Sequence, residues 1–282
     1  MSKNAKGIVA FLLIAFGIAW LDLLVIWLVG IGSREGASPA QPDPLFILAG
    51  LPFTFAPAIA TFVVRKWVTR EGFADAGLGL HLRKGWRYYL YALLFPVIVL
   101  PIAVALSALV KAAQPDLSVL SLESVLPLLV MALVMTLFYF GEEFGWRGYL
   151  QLRLAPERPL VAAALTGLIW GVWHYPMILL GFLGSGNMLA LVIYPINLVF
   201  ISIFYGWLQA RSRSVWPVCL AHAVGDSIIS GMLGLLMAGV PLIFAWGGFG
   251  MAGFAVLSLL VITLGRFGRE PQRSERVSEN CS

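Results

Sequence analysis

Apolar segments of about 20 residues recur along this chain, and they limit its possible folds more than any other feature. The hydrocarbon core of a bilayer is about 30 Å thick, which about 20 helical residues cross. Because lipid offers no water to backbone N–H and C=O groups, each such segment must be a helix. The sequence therefore predicts an all-α, polytopic transmembrane bundle of about eight spans. The segments are 8–30, 45–64, 86–110, 125–140, 160–183, 188–210, 215–238 and 243–265. The fourth is expected to run on past two glutamates.

The charges support the same conclusion. Hydrophobic residues make up 60% of the chain and charged residues only 12%, against about 25% charged in soluble domains. The formal net charge of +5 could indicate nucleic acid, yet all 19 Lys and Arg residues except Arg34 and Lys111 fall on one side of the predicted spans. By the positive-inside rule that side, with both termini, is cytoplasmic. We therefore predict an integral protein of the cell (plasma) membrane, with the lipid bilayer and not nucleic acid as a partner.

The two ends and the cysteines set further limits. The apolar run at 8–30 is too long for a signal-peptide core, so we interpret it as a retained first span. Residues 1–265 are predicted to form a single transmembrane domain, and 266–282, a mixture rich in Arg, Glu and Ser, a disordered cytoplasmic tail. Cys219 and Cys281 are too few for a disulfide framework or a cysteine-based zinc site.

A few ionisable residues interrupt the apolar spans. A charge at the centre of a bilayer costs roughly 2.5–3.5 kcal/mol on insertion scales, so each such residue needs a reason. They are Asp22, Glu142, Glu143, His174, His222 and Asp226, with Arg147 close by.

Spacing relates several of these residues to one another. Adjacent Glu142 and Glu143 point about 100° apart on a helix, whereas Glu143 and Arg147 are four residues apart and can pair on one face. His222 and Asp226 share a face in the same way. The ordinary alternatives are a solvated helix end, a histidine that only packs, and a polar pair that joins helices.

Placement on the predicted helices weighs against those alternatives. Except for Asp22, the intramembrane ionisable residues lie on only three spans, the fourth, fifth and seventh, at depths that can coincide. This convergence predicts a single functional cavity. Asp22 stands alone among leucines in the first span, and two interpretations are open for it: packing against the polar cluster, or facing a cavity connected to the cytoplasm.

Three motifs in these spans resemble one known family. They are Glu142-Glu143-Phe-Gly-Trp-Arg147, Trp170-Gly-Val-Trp-His174 and His222-Ala-Val-Gly-Asp226. In order and spacing they resemble the CAAX prenyl endopeptidases and bacteriocin-processing proteins (CPBP), a family of intramembrane proteases, over a core of about 125–238. Two positions depart from the pattern, because Trp170 stands where many relatives have Phe and Asp226 where several have Asn.

The resemblance implies an enzyme that hydrolyses peptide bonds of membrane-associated peptides or proteins. Glu142 with His174 would activate water, and His222 with Asp226 would face the oxyanion. An ionised Asp226 cannot donate a hydrogen bond as Asn could. Glu143 paired with Arg147 would support Glu142.

The resemblance leaves the use of a metal open. Relatives are often labelled metalloproteases, and Glu142, His174 and His222 are the candidate ligands of a zinc ion. The His-Glu-x-x-His helix of soluble zinc proteases is absent from the sequence. The same residues also suit a metal-free glutamate mechanism.

Two other functions compete with proteolysis. One is a non-proteolytic membrane scaffold, or a peptide-toxin resistance protein, with the same fold. The other is a proton-coupled transporter, in which buried acids and histidines relay protons. The absence of an evident inverted repeat disfavours transport.

Overall fold

The computed structural model describes residues 2–31, 44–182 and 188–264. Within these ranges lie eight helices that are long and apolar enough to cross a membrane, and no strand. We number them α1 Lys3–Leu28, α2 Pro44–Val68, α3 Leu82–Leu109, α4 Leu122–Leu154, α5 Pro159–Leu179, α6 Ala190–Ser212, α7 Trp216–Leu236 and α8 Ala245–Thr263. The predicted all-α bundle of about eight spans is thus confirmed.

The helices match the predicted apolar segments one for one. As expected, α4 continues beyond the two glutamates, to Leu154. Orientation in the membrane and the single-domain assignment stay predictions, and the predicted tail lies outside the described residues.

Three helices are irregular at the sequence motifs. α4 changes from α-helix to π-helix at Trp146–Leu150, and α7 does so at Gly225–Ile229, which includes Asp226. α5 breaks at His174, between the helical pieces Pro159–Trp173 and Tyr175–Leu179. Pro176 explains the break, since its ring has no N–H to donate and clashes with the preceding turn. π-turns in α-helices are often found at functional sites.

Glycines let the helices around the motifs approach one another closely. α4 packs against α2 and α7, and α5 packs against α6. A Cβ on Gly141 would lie 2.7 Å from the Thr54 carbonyl oxygen of α2, and one on Gly167 would lie 2.5 Å from the Leu198 carbonyl oxygen of α6. Gly141 and Gly145 on α4 have the Gly-x-x-x-Gly spacing of close helix pairs in membranes. This spacing positions α4 at the level of its glutamates.

The environment of α4 changes along its length. Leu126, Val130, Leu133 and Leu137 are at least half exposed, as expected for side chains that face lipid. From Gly141 to Leu150 every residue is buried. The two glutamates therefore lie at the start of a fully enclosed stretch.

An ion-pair network joins the end of α2 to the end of α4. The fully buried Arg65 guanidinium donates to the Asp75 carboxylate at 2.7 Å and to the Gly148 carbonyl oxygen at 2.9 Å. Arg153 donates to Glu71 at 2.8 Å and to Asp75 at 3.2 Å. Burial raises the pKa of the Asp75 carboxyl, but the guanidiniums of Arg65 and Arg153 outweigh it and hold that pKa below its ordinary value.

Candidate active site

The structure brings four of the predicted site residues to one cavity. Glu142 from α4, His174 from the break in α5, and His222 and Asp226 from α7 all line a cavity of about 400 Å³. Glu142 and His222 are each 3% exposed and His174 is 7% exposed, whereas the Asp226 side chain is 42% exposed. The glutamates are therefore not a solvated helix end.

Glu143 lies behind this cavity and is fully buried with Arg147. Nη1 of Arg147 donates to both carboxylate oxygens of Glu143, at 3.0 and 2.9 Å, so the predicted pair is present. Nδ1 of His222 lies 2.8 Å from Oε1 of Glu143. Because a carboxylate only accepts, this histidine nitrogen carries the hydrogen.

Arg147 has partners beyond Glu143. Its Nη2 donates to the Ser202 hydroxyl of α6 at 3.1 Å, and its guanidinium lies 4.6 Å from the ring centroid of Trp170. The buried cation is thus paired, hydrogen-bonded and stacked, which offsets its desolvation.

Trp170 joins the first glutamate to the first histidine. Its indole N–H donates to Oε2 of Glu142 at 2.8 Å. Its carbonyl oxygen lies 2.8 Å from Nδ1 of His174 and accepts that hydrogen. The carbonyl is free because the break moves the His174 backbone N–H to Gly171 instead. In the neutral ring, Nε2 of His174 is therefore the nitrogen with a free lone pair.

Asp226 has a partner that the motifs do not include. The Tyr139 hydroxyl donates to Oδ2 of Asp226 at 2.6 Å, and the Tyr139 ring stacks on His222 with centroids 3.8 Å apart. Nε2 of His222 is 3.6 Å from the same carboxylate oxygen. That distance suits an ion pair and is too long for a hydrogen bond.

Residues 123–228 match the family model described as type II CAAX prenyl endopeptidase Rce1-like. This segment is similar to that family. The matched segment covers less than half of the chain, runs from α4 into α7 and contains all three motifs. It confirms the resemblance of this part of the chain to the CPBP proteins. No curated protein matches the sequence significantly.

Asp22 lies outside the segment that matches the Rce1-like family, and the structure explains it separately. Its Oδ2 accepts the Phe53 backbone N–H at 3.1 Å. Phe53 is in the first turn of the helical piece Leu51–Val63, where backbone N–H groups lack partners within the helix. The Phe53 ring lines the cavity, stacks on Trp173 at 3.9 Å and meets the edge of His174 at 5.9 Å. Asp22 therefore supports a cavity wall.

Among the described residues, the candidate metal ligands do not form a metal centre. Across the part of the chain that the structure describes, no three His, Cys, Asp or Glu side chains are grouped as metal ligands. Of the candidates, His222 has its Nδ1 bonded to Glu143, and Glu142 accepts the indole N–H of Trp170. In this arrangement the three candidates are not grouped to hold a zinc ion, and the proposed reaction uses none.

Sequence reasoning missed the partners of the motif residues in this site. The motif comparison shows only that Trp170 stands where many relatives have Phe. It does not show that the indole N–H is a hydrogen-bond donor, which Phe lacks, next to a carboxylate. Tyr139 is three residues before Glu142, which places it on a neighbouring part of the same helix face. Ser202 gave no signal, because nothing in its own span relates it to Arg147.

Proposed function

We propose that this protein is an intramembrane endopeptidase, in which Glu142 and His174 activate the water that attacks a peptide bond. The observation that carries the proposal is that both side chains line one cavity and are held by the same residue, Trp170. The Rce1-like family match supports the reaction class.

The water would lie between the Glu142 carboxylate and Nε2 of His174. Both are acceptors, so together they orient the water and take its proton as its oxygen attacks the carbonyl carbon. The proton then passes to the amide nitrogen as the C–N bond breaks, which yields a carboxylate and an amine. Proton transfer by a positioned side chain contributes about 10²–10⁴-fold to such a rate.

His222 would act as an imidazolium and donate to the oxyanion through Nε2–H, because its Nδ1 hydrogen is already donated to Glu143. Its other nitrogen is held by Glu143 at 2.8 Å, which fixes the ring orientation as a carboxylate does for the histidine of a catalytic triad. Arg147 in turn balances the charge of Glu143 at 2.9 Å. Glu143 and Arg147 are thus positioning residues in this proposal.

The substrate is proposed to be a membrane-associated peptide or protein. The walls beyond the polar residues are apolar and adaptable, and include Leu128, Met131, Met135, Phe138 and Met177. Such walls suit an apolar segment that enters from the bilayer. From the predicted orientation, we propose that the site opens toward the cytoplasmic half of the membrane.

Glu142→Gln tests the proposal with little change of volume. Purified protein in proteoliposomes would be given a quenched fluorescent peptide embedded in the same membrane, and the expected rate falls at least about 10²-fold. Glu123→Gln is the matched control, because Glu123 is an exposed acid in the first turn of the same helix.

Wild-type cleavage by Glu142→Gln would show that the assigned base is wrong. A wild-type protein that cleaves no membrane peptide, yet drives solute uptake that Glu142→Gln abolishes, would favour the transporter. An absence of both activities would favour the scaffold.

A further inference from the structure

Asp226 faces the reaction as an acceptor, not as a donor. Its Oδ2 takes the Tyr139 hydroxyl hydrogen at 2.6 Å and lies 3.6 Å from Nε2 of His222. An Asp226 carboxylate that accepts from the Tyr139 hydroxyl and forms an ion pair with His222 is ionised and has no hydrogen to donate. An Asn at this position would present an N–H, so the exchange of Asn for Asp removes a donor from the site.

The Tyr139 hydroxyl is a hydrogen-bond donor in the same cavity, next to Asp226. Tyr139 lines the same cavity as Glu142 and His222, is only partly buried, and is three residues before Glu142 on α4. Its ring is stacked on the His222 ring at 3.8 Å with an interplanar angle of 19°. Its hydroxyl is therefore held beside the imidazole that would contact the oxyanion.

We propose that Tyr139 is a further catalytic residue, whose hydroxyl donates a hydrogen bond to the oxyanion in place of the donor that Asp226 cannot supply. This inference rests on the proposed function. Asp226 becomes a positioning residue that holds the hydroxyl in the resting site.

The exchange of partners requires no proton transfer. Rotation about the C–O bond of Tyr139 turns its one hydrogen from Asp226 to the oxyanion, and the hydrogen stays on the phenol oxygen throughout. The Asp226 side chain is 42% exposed, so water can take the vacated acceptor site. The proton released by the attacking water still goes to Glu142 with His174, and then to the leaving nitrogen.

The test is a double-mutant cycle between Tyr139→Phe and Asp226→Asn. In the wild-type background, Tyr139→Phe keeps the stacked ring and is expected to lower kcat by about 10²–10³-fold with little change in KM, the usual effect of losing one oxyanion donor. In the Asp226→Asn background the amide supplies an N–H, and the same change is expected to cost less than about 10-fold.

Tyr89→Phe is the control, since it deletes a hydroxyl on α3 that donates to the Leu80 carbonyl oxygen at 2.5 Å. Thermal melting of each variant checks that the fold is intact. An unchanged kcat in Tyr139→Phe would overturn the proposal. So would an equal loss in both backgrounds, because the hydroxyl would then not replace an amide donor.

Failure of this inference is separable from failure of the proposed function. If Glu142→Gln abolishes cleavage while Tyr139→Phe does not change it, the protease assignment stands and only the role of Tyr139 is lost. If Glu142→Gln cleaves normally, the base assignment falls whatever Tyr139 does.

Discussion

Gly145→Ala is predicted to disable the site by moving the helix that carries Glu142. Gly145 lies on α4 against Pro57 of α2. A Cβ added there would overlap the Pro57 Cβ, and would lie 2.7 Å from the Pro57 carbonyl carbon and 2.8 Å from its Cα. Backbone atoms cannot move aside as a flexible side chain can, so the two helices must separate.

The size of the effect follows from two opposing terms. Overpacking of a tight interface costs about 1–3 kcal/mol, and contact with the backbone places this case in the upper half of that range. The better helix propensity of alanine offsets about 0.5–1 kcal/mol of this loss in the free energy of unfolding. The expected net loss is about 1–2.5 kcal/mol, or a fall in Tm of a few degrees.

The cleavage rate is expected to fall by more than the loss of stability alone would explain. Glu142 is three residues from Gly145 on the same helix, so separation of α4 from α2 displaces its carboxylate from the other cavity residues. A misplacement of about 1 Å can cost about 10²-fold in rate. The measurements are thermal unfolding in detergent and peptide cleavage in proteoliposomes.

Gly17→Ala is the matched control, because Gly17 is a helical glycine of α1 with no atom within 4 Å of an added Cβ. It is expected to keep the wild-type rate and to melt at the wild-type temperature or slightly above it. If the two variants melt and cleave alike, the close approach of α4 and α2 does not position the site.

Two further predictions concern acids outside the cavity. Asp22→Leu removes the acceptor of the Phe53 N–H, so it is expected to lower stability by about 1–3 kcal/mol and kcat several-fold. Asp22→Asn keeps an amide oxygen and should restore both in melting and cleavage assays; an Asn variant as impaired as Leu would contradict this role. Because the pKa of Asp75 is lowered by Arg65 and Arg153, its stabilising effect is present above its unfolded pKa and lost as pH falls from about 4 downward. Asp75→Asn should therefore be less stable than the wild type at pH 7. The loss in free energy of unfolding should be no more than about 1 kcal/mol, because the Asp75 side chain is 54% exposed. Thermal melting should show that the difference disappears in acid, and a difference that stays constant with pH would refute the ion-pair explanation.

The helices could be predicted because length and hydropathy are local properties. An apolar run of about 20 residues has few alternatives to a transmembrane helix, whatever its neighbours are. The helix break at His174 is also predictable from the sequence, since Pro176 has no N–H to continue the helix. The sequence also carries a signal of close helix approach in the Gly-x-x-x-Gly spacings of Gly141 with Gly145 and of Gly167 with Gly171.

The partners of the site residues depend on contacts between helices, which spacing along one helix does not report. The pair of Glu143 with Arg147 was predictable because both belong to one helix face. The bond of His222 to Glu143, 79 residues away, and that of Trp170 to Glu142, 28 residues away, depend on how α4, α5 and α7 pack. The motifs thus identified a set of residues, whereas the packing supplied their connections.

The two adjacent glutamates have different roles in the proposal because their hydrogen bonds differ. Glu143 accepts two bonds from Arg147 and one from His222 and does not line the cavity, so its acceptor sites serve the surrounding helices. Glu142 lines the cavity and, among the described residues, accepts only the indole N–H of Trp170. A carboxylate can accept about four hydrogen bonds, so Glu142 has acceptor sites left for a water molecule. Because neighbouring helix positions are rotated by about 100°, Glu143 points toward the packed helices, and Glu142 points toward the cavity where the proposed reaction occurs.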